Sequence, residues 1–178
     1  MTAILRFVGI MNAAIWFGGS IFFSFVAGQM PFSGEMKSLL GPTYYPYFSG
    51  AIAQIGISRY FTFQLVCCVV GIVHLAAERL YQARRERRAL FGLLLVLLGL
   101  TVAGDAWLRP KMKELHAIKY ARNYPQAARD NAAHSFRAWH AFSQVANLFV
   151  LGGLVVYVLR MTQAPDPARF VRPAQIRS

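Results

Sequence analysis

The stretch "ALFGLLLVLLGLTVAGDAWLRP", residues 89–110, decides the fold. Its first sixteen residues, 89–104, carry no charge, and the run ends in Asp105, Trp107 and Arg109. A helix needs roughly 20 apolar residues to cross about 30 Å of hydrocarbon, so this stretch predicts a membrane-spanning helix. The acid at its end raises the question of which groups Asp105 meets there.

Three further uncharged runs lie at residues 7–34, 60–77 and 138–159. Of the 178 residues, 56% are hydrophobic and 15% are charged, whereas about a quarter of the residues in a soluble domain are charged. We therefore predict an all-α integral membrane protein, a four-helix bundle that forms one domain over residues 1–161. The four predicted helices cover about 5–29, 59–80, 89–108 and 138–160. Whether residues 44–58 extend helix two is left open by the sequence. Residues 162–178 are predicted to form a disordered cytoplasmic tail.

The segment between helices three and four is polar, and we predict that it is a helical extramembrane excursion with a turn at Pro125. The short arginine-rich loop after helix two favours the cytoplasmic side, and this orientation places both termini in the cytoplasm. We predict that the membrane is a bacterial inner membrane. The seven cations and two acids of the excursion argue for the opposite orientation. The net charge of +12 does not indicate nucleic acid, because cations in loops set topology or meet anionic lipid headgroups. The loop residues predicted to do so are Arg84, Arg85, Arg87 and Arg88.

A cluster of polar side chains is predicted near one membrane face, on the side of the helix one to two loop, here called the outer side. Lipid offers polar groups no partner, so groups at one depth on four helices should face one another. We expect Asp105 to face the bundle interior and to meet His140, with Arg109 and Arg137 as alternatives. The pair either clasps two helices or relays protons or cations. The predicted cluster comprises Gln64, Thr101, Asp105, Arg109, Arg137, His140, Ser143, Gln144 and Asn147.

Two kinds of cofactor site come into question. His74, deep in helix two, could ligate a single haem or a chlorin, but a second axial ligand from His140 is disfavoured because the two are predicted at opposite faces. Thioether and imidazole groups suit copper, although methionines in an apolar chain also serve as core filler, which leaves no metal as the alternative. The candidate metal ligands are Met112, His116, His134 and His140.

Four motifs resemble, in their order, a known family: "IWFGGSIFF", "MPF" followed by "LGPTYYPYF", "DAWLRPKM" and "FRAWHAFSQVANL". They are similar to the small four-helix membrane family that includes transmembrane protein 205, over most of residues 12–150. The resemblance implies a polytopic membrane protein without an established biochemical activity, loosely linked to metal-drug tolerance, and it carries over no catalytic residue. This chain departs from the family in a longer segment around helix two and in its "RRERR" loop. The matching residues are Trp16, Gly18, Gly19, Trp107, Leu108, Pro110, Trp139, His140, Ser143 and Asn147.

The sequence contains no nucleophile elbow, phosphate loop, HExxH motif or paired catalytic carboxylates, so we do not expect an enzyme. Three functions stay open. The outer polar cluster could handle a small cation, proton or metal, in export or tolerance. The chain could be a structural or accessory subunit of a larger membrane complex, or a homo-oligomer, that docks through a small-residue stripe on helix one. It could also bind a single haem or chlorin. The stripe consists of Ser20, Ser24 and Gly28.

Overall fold

The computed structural model describes residues 2–82 and 88–163. Every regular element in these ranges is helical, so the all-α prediction is confirmed. A π-helical turn, Phe23–Ala27, follows the first helix, and a second, Gly104–Leu108, joins the third helix to the fourth. A 3-10 turn covers Met30–Phe32. The α-helices are α1 Thr2–Phe22, α2 Gly34–Gln82, α3 Arg88–Ala103, α4 Arg109–Tyr120 and α5 Gln126–Thr162.

Three helical stretches of the described chain are long and apolar enough to cross a membrane: Ile4–Leu80, Arg88–Tyr120 and Gln126–Thr162. The first contains both α1 and α2. Large apolar side chains such as Phe7 and Phe149 point outward, as is expected of helices whose outer faces meet lipid. These features are consistent with the predicted membrane protein.

Neighbouring long helices run antiparallel, as their contacts show. Asn12 and Trp16 of α1 hydrogen-bond to Cys67 and Gln64 of α2, so the residue number rises on one helix as it falls on the other. The α1–α5 pairs show the same order, with Asn12 against Tyr157 and, further along α1 or just beyond it, Ser24 against Asn147. The helices therefore lie side by side along most of their length.

The apolar core occupies one end of this bundle, here called the packed end. Trp16 and Tyr157 are fully buried, and their rings meet edge to face with centroids 5.9 Å apart. Leu94 of α3 and Leu154 of α5 are also completely enclosed. Large side chains from α1, α3 and α5 thus meet in this core, and the van der Waals contacts between them stabilise the fold.

The predicted limits of helix two were wrong at its beginning. Helical backbone begins at Gly34, and the region is interrupted only by a kink at Gly41, whose φ of 66° lies in the left-handed region that favours glycine. Pro42 follows the kink, where its fixed φ suits a helix start. Residues 44–58 therefore extend helix two.

The turn predicted at Pro125 is present, because α4 ends at Tyr120 and α5 begins at Gln126, but the helix after the turn continues without a break into helix four. Helix four does not begin at residue 138, because α5 is continuous from Gln126. No proline or glycine interrupts α5 before Gly152, and its first turns contain good helix formers such as Ala and Arg. Helix one ends in its π-helical turn at Ala27, not at residue 29. The described residues do not include Arg84, Arg85, Arg87 or the predicted tail beyond Gln163. Arg88 is the first residue of α3 and is exposed.

Candidate functional site

The two π-helical turns contact consecutive residues of α2. The ring of Phe23, which begins the first turn, stacks on Tyr60 with centroids 4.1 Å apart and planes 6° from parallel. Gly104 begins the second turn, and the ring of Phe61 lies so close that a Cβ on Gly104 would be 2.5 Å from its Cε1 atom. Both turns therefore lie at one depth in the bundle. Single π-helical turns are rare in proteins, and many of those that do occur lie at functional sites.

A proline follows each turn and accounts for part of its geometry. Pro31 comes after the first turn and Pro110 after the second. A proline donates no backbone hydrogen bond, and its ring clashes with the carbonyl four residues earlier, which disturbs a regular α-helix. The wide turns are closed by i to i+5 bonds, from Gly28 N–H to the Phe23 carbonyl at 2.7 Å and from Arg109 N–H to the Gly104 carbonyl.

Beside the turns lies a cavity of about 1200 Å³, here called the outer groove. Its walls come from the first π-helical turn and the 3-10 turn after it, the N-terminal half of α2, the end of α3, α4 and the middle of α5. Most of the wall is apolar, with side chains such as Phe25, Ile57, Val150 and Leu151. Small-molecule sites are typically clefts of about 300–1,000 Å³ with few polar groups, and the outer groove lies just above that range.

A chain of hydrogen bonds joins three helical segments beside the groove. The Tyr60 hydroxyl donates to Asn147 Oδ1 at 3.1 Å, and Asn147 Nδ2 donates to Ser24 Oγ at 2.8 Å. The Ser24 hydroxyl donates in turn to the Ser20 carbonyl at 2.8 Å. The chain connects α2, α5 and the first π-helical turn, and it fixes the groove wall at that depth.

The predicted polar cluster is only partly assembled. Gln64 accepts a bond from Trp16 Nε1 at 3.2 Å, and Thr101 donates to the Leu97 carbonyl of its own helix at 2.8 Å. Within α5, the nitrogen atoms of Gln144 and His140 lie 3.1 Å apart. The hydrogen bonds between members that the described residues show all lie within one helical stretch: Ser143 and Gln144 bond to His140, and Arg109 bonds to Asp105. Those that line the outer groove are Gln64, Thr101, Arg109, His140, Ser143, Gln144 and Asn147.

Asp105 does not pair with His140 as expected. Its Oδ1 accepts a hydrogen bond from Arg109 Nε at 2.6 Å, one helical turn further along the same stretch. Both side chains are partly exposed, at 45% for Asp105 and 38% for Arg109. Because both residues belong to one helical stretch, their ion pair does not clasp neighbouring helices. Arg137, the other alternative, is exposed on α5.

His74 lies at the packed end. Its Nε2 is 2.7 Å from the Leu5 carbonyl and 3.9 Å from a carboxylate oxygen of Glu78, and the residue is 4% exposed. The side chains of His74 and Met161 both pack over Gly9. His140 precedes Met161 by 21 residues on α5, or about 30 Å along the axis at 1.5 Å per residue. His74 and His140 therefore cannot ligate one haem iron.

Of the candidate metal ligands, Met112, His116 and His140 line the outer groove. The Phe136 ring contacts both histidines, with centroids 6.0 Å from His116 and 6.2 Å from His140. The fourth candidate, His134, is exposed. Within residues 2–82 and 88–163, no three His, Cys, Asp or Glu side chains form a group that could hold a metal ion.

The sequence reasoning missed Phe23, Tyr60, Phe61 and Gly104, which build the narrow part of the site. A signal was present, since a proline follows each π-helical turn within four residues. Proline alone does not distinguish a π-helical turn from a kink or a helix end, so the pattern could direct attention without giving the geometry.

Comparison with known proteins gives one family match. The family described as a domain of unknown function (DUF4149) matches residues 11–121, from the second half of α1 to the end of α4. No curated protein and no solved structure matches the chain. Both π-helical turns lie inside the matched range, whereas α5 lies outside it.

Proposed function

This chain belongs to the DUF4149 family, and from that premise we propose that it is a non-enzymatic integral membrane protein whose outer groove binds an amphipathic molecule taken from the bilayer. The family description names no activity, so the proposal rests on the groove. The resemblance to the family that includes transmembrane protein 205, the bacterial inner membrane and the cytoplasmic termini stay predictions.

The proposal places four helices across the bilayer: α1, the second half of α2, α3 and most of α5. Trp107 and Trp139, whose rings lie 5.5 Å apart, mark one membrane–water boundary, where tryptophan is enriched. From Arg88 to Trp107 the helical stretch rises about 28 Å, close to the roughly 30 Å of a hydrocarbon core. In this placement α4 and the first turns of α5 project beyond that boundary as the excursion.

The observation that carries the proposal is the way the groove crosses this boundary. Along α5 it extends from Leu151 to Phe136, about 22 Å of helix. Its deep part, around Val150 and Leu151, has no charged side chain among the described lining residues, whereas His116 and Lys119 line it beyond the tryptophans. A molecule with an apolar body and a polar head matches that order, because each part meets surroundings of its own kind.

The groove supports an organic ligand better than a cation. Among the described residues that line it there is no carboxylate, and the side chains that carry full charge there are Arg109 and Lys119. Asp105 follows the lining residue Gly104 directly in sequence, but its carboxylate is already paired with Arg109. Hard cations prefer several oxygen ligands with negative charge, which this wall does not offer.

The small-residue stripe on helix one gives little support to the accessory-subunit alternative. Ser20 is fully buried, and Ser24 bonds to Asn147 of α5. Two of the three members of the stripe therefore pack inside this chain, so they do not form a free docking face.

Native mass spectrometry of the gently solubilised protein tests the proposed function. Gly56 lines the groove, and a Cβ there would meet only Phe23 Cε2, at 3.7 Å, so Gly56→Trp fills the groove. We expect wild-type protein to carry a small-molecule adduct and Gly56→Trp to lose it. Gly99→Trp is the matched control, because Gly99 is exposed on α3 with no atom within 4 Å of its Cβ position. Equal adducts in both variants, or wild-type protein without any adduct, would contradict the proposal.

A further inference from the structure

One face of α4 supplies much of the groove wall beyond the tryptophans. Five of its residues line the groove, at relative positions i, i+3, i+7, i+10 and i+11, which fall within about 100° on a helix. Two of these five are the cations Arg109 and Lys119. Lys113 of the same helix is exposed and does not line the groove. The positive charge on this wall therefore comes from particular positions and not from the helix as a whole.

Both cations can meet a further acceptor. Arg109 donates Nε–H to Asp105, and a guanidinium carries five N–H donors in all, so four remain. The Lys119 ammonium lies over two aromatic rings of the groove wall, 4.9 Å from the centroid of Tyr120 and 5.8 Å from that of Phe136. These contacts keep its charge beside the groove.

Two buried nitrogen atoms on the wall have no hydrogen-bond partner among the described residues. They are Gln54 Nε2 and His116 Nε2, and His116 is only 6% exposed. His116 packs over Gly50, one helical turn before Gln54, at a point where a Cβ on residue 50 would collide with its ring. Buried donors are nearly always paired, so the Gln54 amide nitrogen on the groove wall points to a ligand that brings an acceptor oxygen, whereas the His116 nitrogen faces Gly50 and is a donor or an acceptor according to its tautomer.

We infer that the amphiphile held in the outer groove is anionic, with a carboxylate or phosphate head beside Arg109 and Gln54 and an apolar chain toward Leu151. Lys119, about 15 Å further along α4, adds positive charge to the same wall without contacting that head. This inference rests on the proposed binding function. Arg109 follows Trp107 by two residues, so the anion lies at headgroup level, and the chain extends into the hydrocarbon. Carboxylate and phosphate share the oxygen geometry that an arginine fork binds.

The test compares ligands that differ only in the head. Dissociation constants are measured for palmitate, hexadecyl phosphate and hexadecanol on purified full-length protein in a neutral detergent, with inorganic phosphate alone as a fourth ligand. We expect the two acids to bind at least about tenfold more tightly than hexadecanol, as expected for a charge-assisted hydrogen bond. Inorganic phosphate should bind far more weakly than hexadecyl phosphate, because it lacks the chain.

Variants then locate the head. Arg109→Gln should weaken binding of the acids by about tenfold or more, and Lys119→Gln should weaken it by less, because Lys119 lies about 15 Å further along α4 and acts only through its charge. Both should leave hexadecanol unchanged. Lys113→Gln is the matched control and should change neither. The two positions are tested separately, so that a folding defect in one variant leaves the other informative.

Each contrary outcome has its own meaning. Equal affinity for hexadecanol and the acids, or equal losses in Lys113→Gln and Arg109→Gln, would overturn the anionic head and leave the groove itself intact. Inorganic phosphate binding as tightly as hexadecyl phosphate would replace the amphiphile by a free-anion site. Failure of all three long-chain ligands to bind wild-type protein would overturn the proposed function together with this inference.

Discussion

The packed end and the groove end of the bundle are built from the same helices but pack differently. At the packed end, Trp16, Leu94, Leu154 and Tyr157 are completely buried and fill the space between α1, α2, α3 and α5. At the groove end the walls enclose about 1200 Å³. The change from close packing to an open groove occurs at the two π-helical turns, where the helical turns are wider. There Gly104 has no side chain, and the Phe61 ring packs against it. The difference fits the proposal that one end supplies stability and the other a binding site.

Paired polar groups occur at the packed end, but unpaired polar atoms occur at both ends. At the packed end Asn12 Nδ2 is 3.1 Å from the Cys67 carbonyl and 3.4 Å from the Tyr157 hydroxyl, so its amide is bonded within the bundle. At the groove end Gln54 Nε2 and His116 Nε2 have no partner among the described residues. His74 Nδ1, at the packed end, also has no partner among the described residues, so unpaired nitrogen atoms alone do not distinguish the two ends.

The largest expected effect is at the packed end. Trp16→Ala removes a fully buried indole and its bond to Gln64, so we expect unfolding free energy to fall by about 3–5 kcal/mol. Chemical unfolding in detergent measures it. Ile15→Ala is the neighbouring control, because Ile15 is 52% exposed and should lose much less. Comparable losses in the two variants would show that the packed end is not where stability resides.

The same glycine substitution should act differently at the two ends. Gly9→Ala drives a methyl group into His74 and Met161 in the close-packed region, and we expect a loss of about 1–3 kcal/mol. Gly104→Ala meets only the Phe61 ring, which borders the groove and can move into it, so its loss should be under about 1 kcal/mol. Thermal melting compares them. Gly18→Ala, with no atom within 4 Å, is the control and should be neutral or slightly stabilising. A larger loss at Gly104 than at Gly9 would reverse the comparison.

The hydrogen-bond chain beside the groove should have a moderate effect. Tyr60→Phe removes the hydroxyl that donates to Asn147, which should cost about 1 kcal/mol of unfolding free energy. A double-mutant cycle with Asn147→Ala isolates the pair, and a coupling energy of about 0.5–1.5 kcal/mol is expected. Strictly additive losses would mean that the bond does not hold the groove wall.

The smallest effect should come from the acid that the sequence made conspicuous. Asp105→Asn breaks an ion pair that is nearly half exposed, so unfolding free energy should change by less than about 1 kcal/mol. Glu114→Gln breaks the exposed pair with Lys111, 3.1 Å long, and serves as the reference. A much larger loss for Asp105→Asn would restore the interhelical clasp that the geometry argues against.

The sequence predicted the helical class and the membrane character, because uncharged runs of this length have few other uses. It did not predict the helix limits, since charge marks where hydrocarbon ends and not where a helix ends. α5 accordingly begins twelve residues before Ala138, at Gln126. The spacing of His140 and Asn147 correctly indicated that both lie on one face of α5. Which residues they contact depends on how α1 and α2 are rotated about their own axes. That rotation follows from the packing of side chains such as Trp16 and Tyr60, which no single-helix pattern contains.

The central claim is that the groove end holds an amphiphile between the π-helical turns and α5. Photo-cross-linking with palmitate that carries a diazirine at its tail, followed by peptide mapping, tests it most directly. The account predicts that label concentrates on groove residues such as Ile57 and Leu151 and disappears in Gly56→Trp. Label spread evenly over lipid-facing side chains such as Phe7 and Phe149, and unchanged in Gly56→Trp, would contradict it.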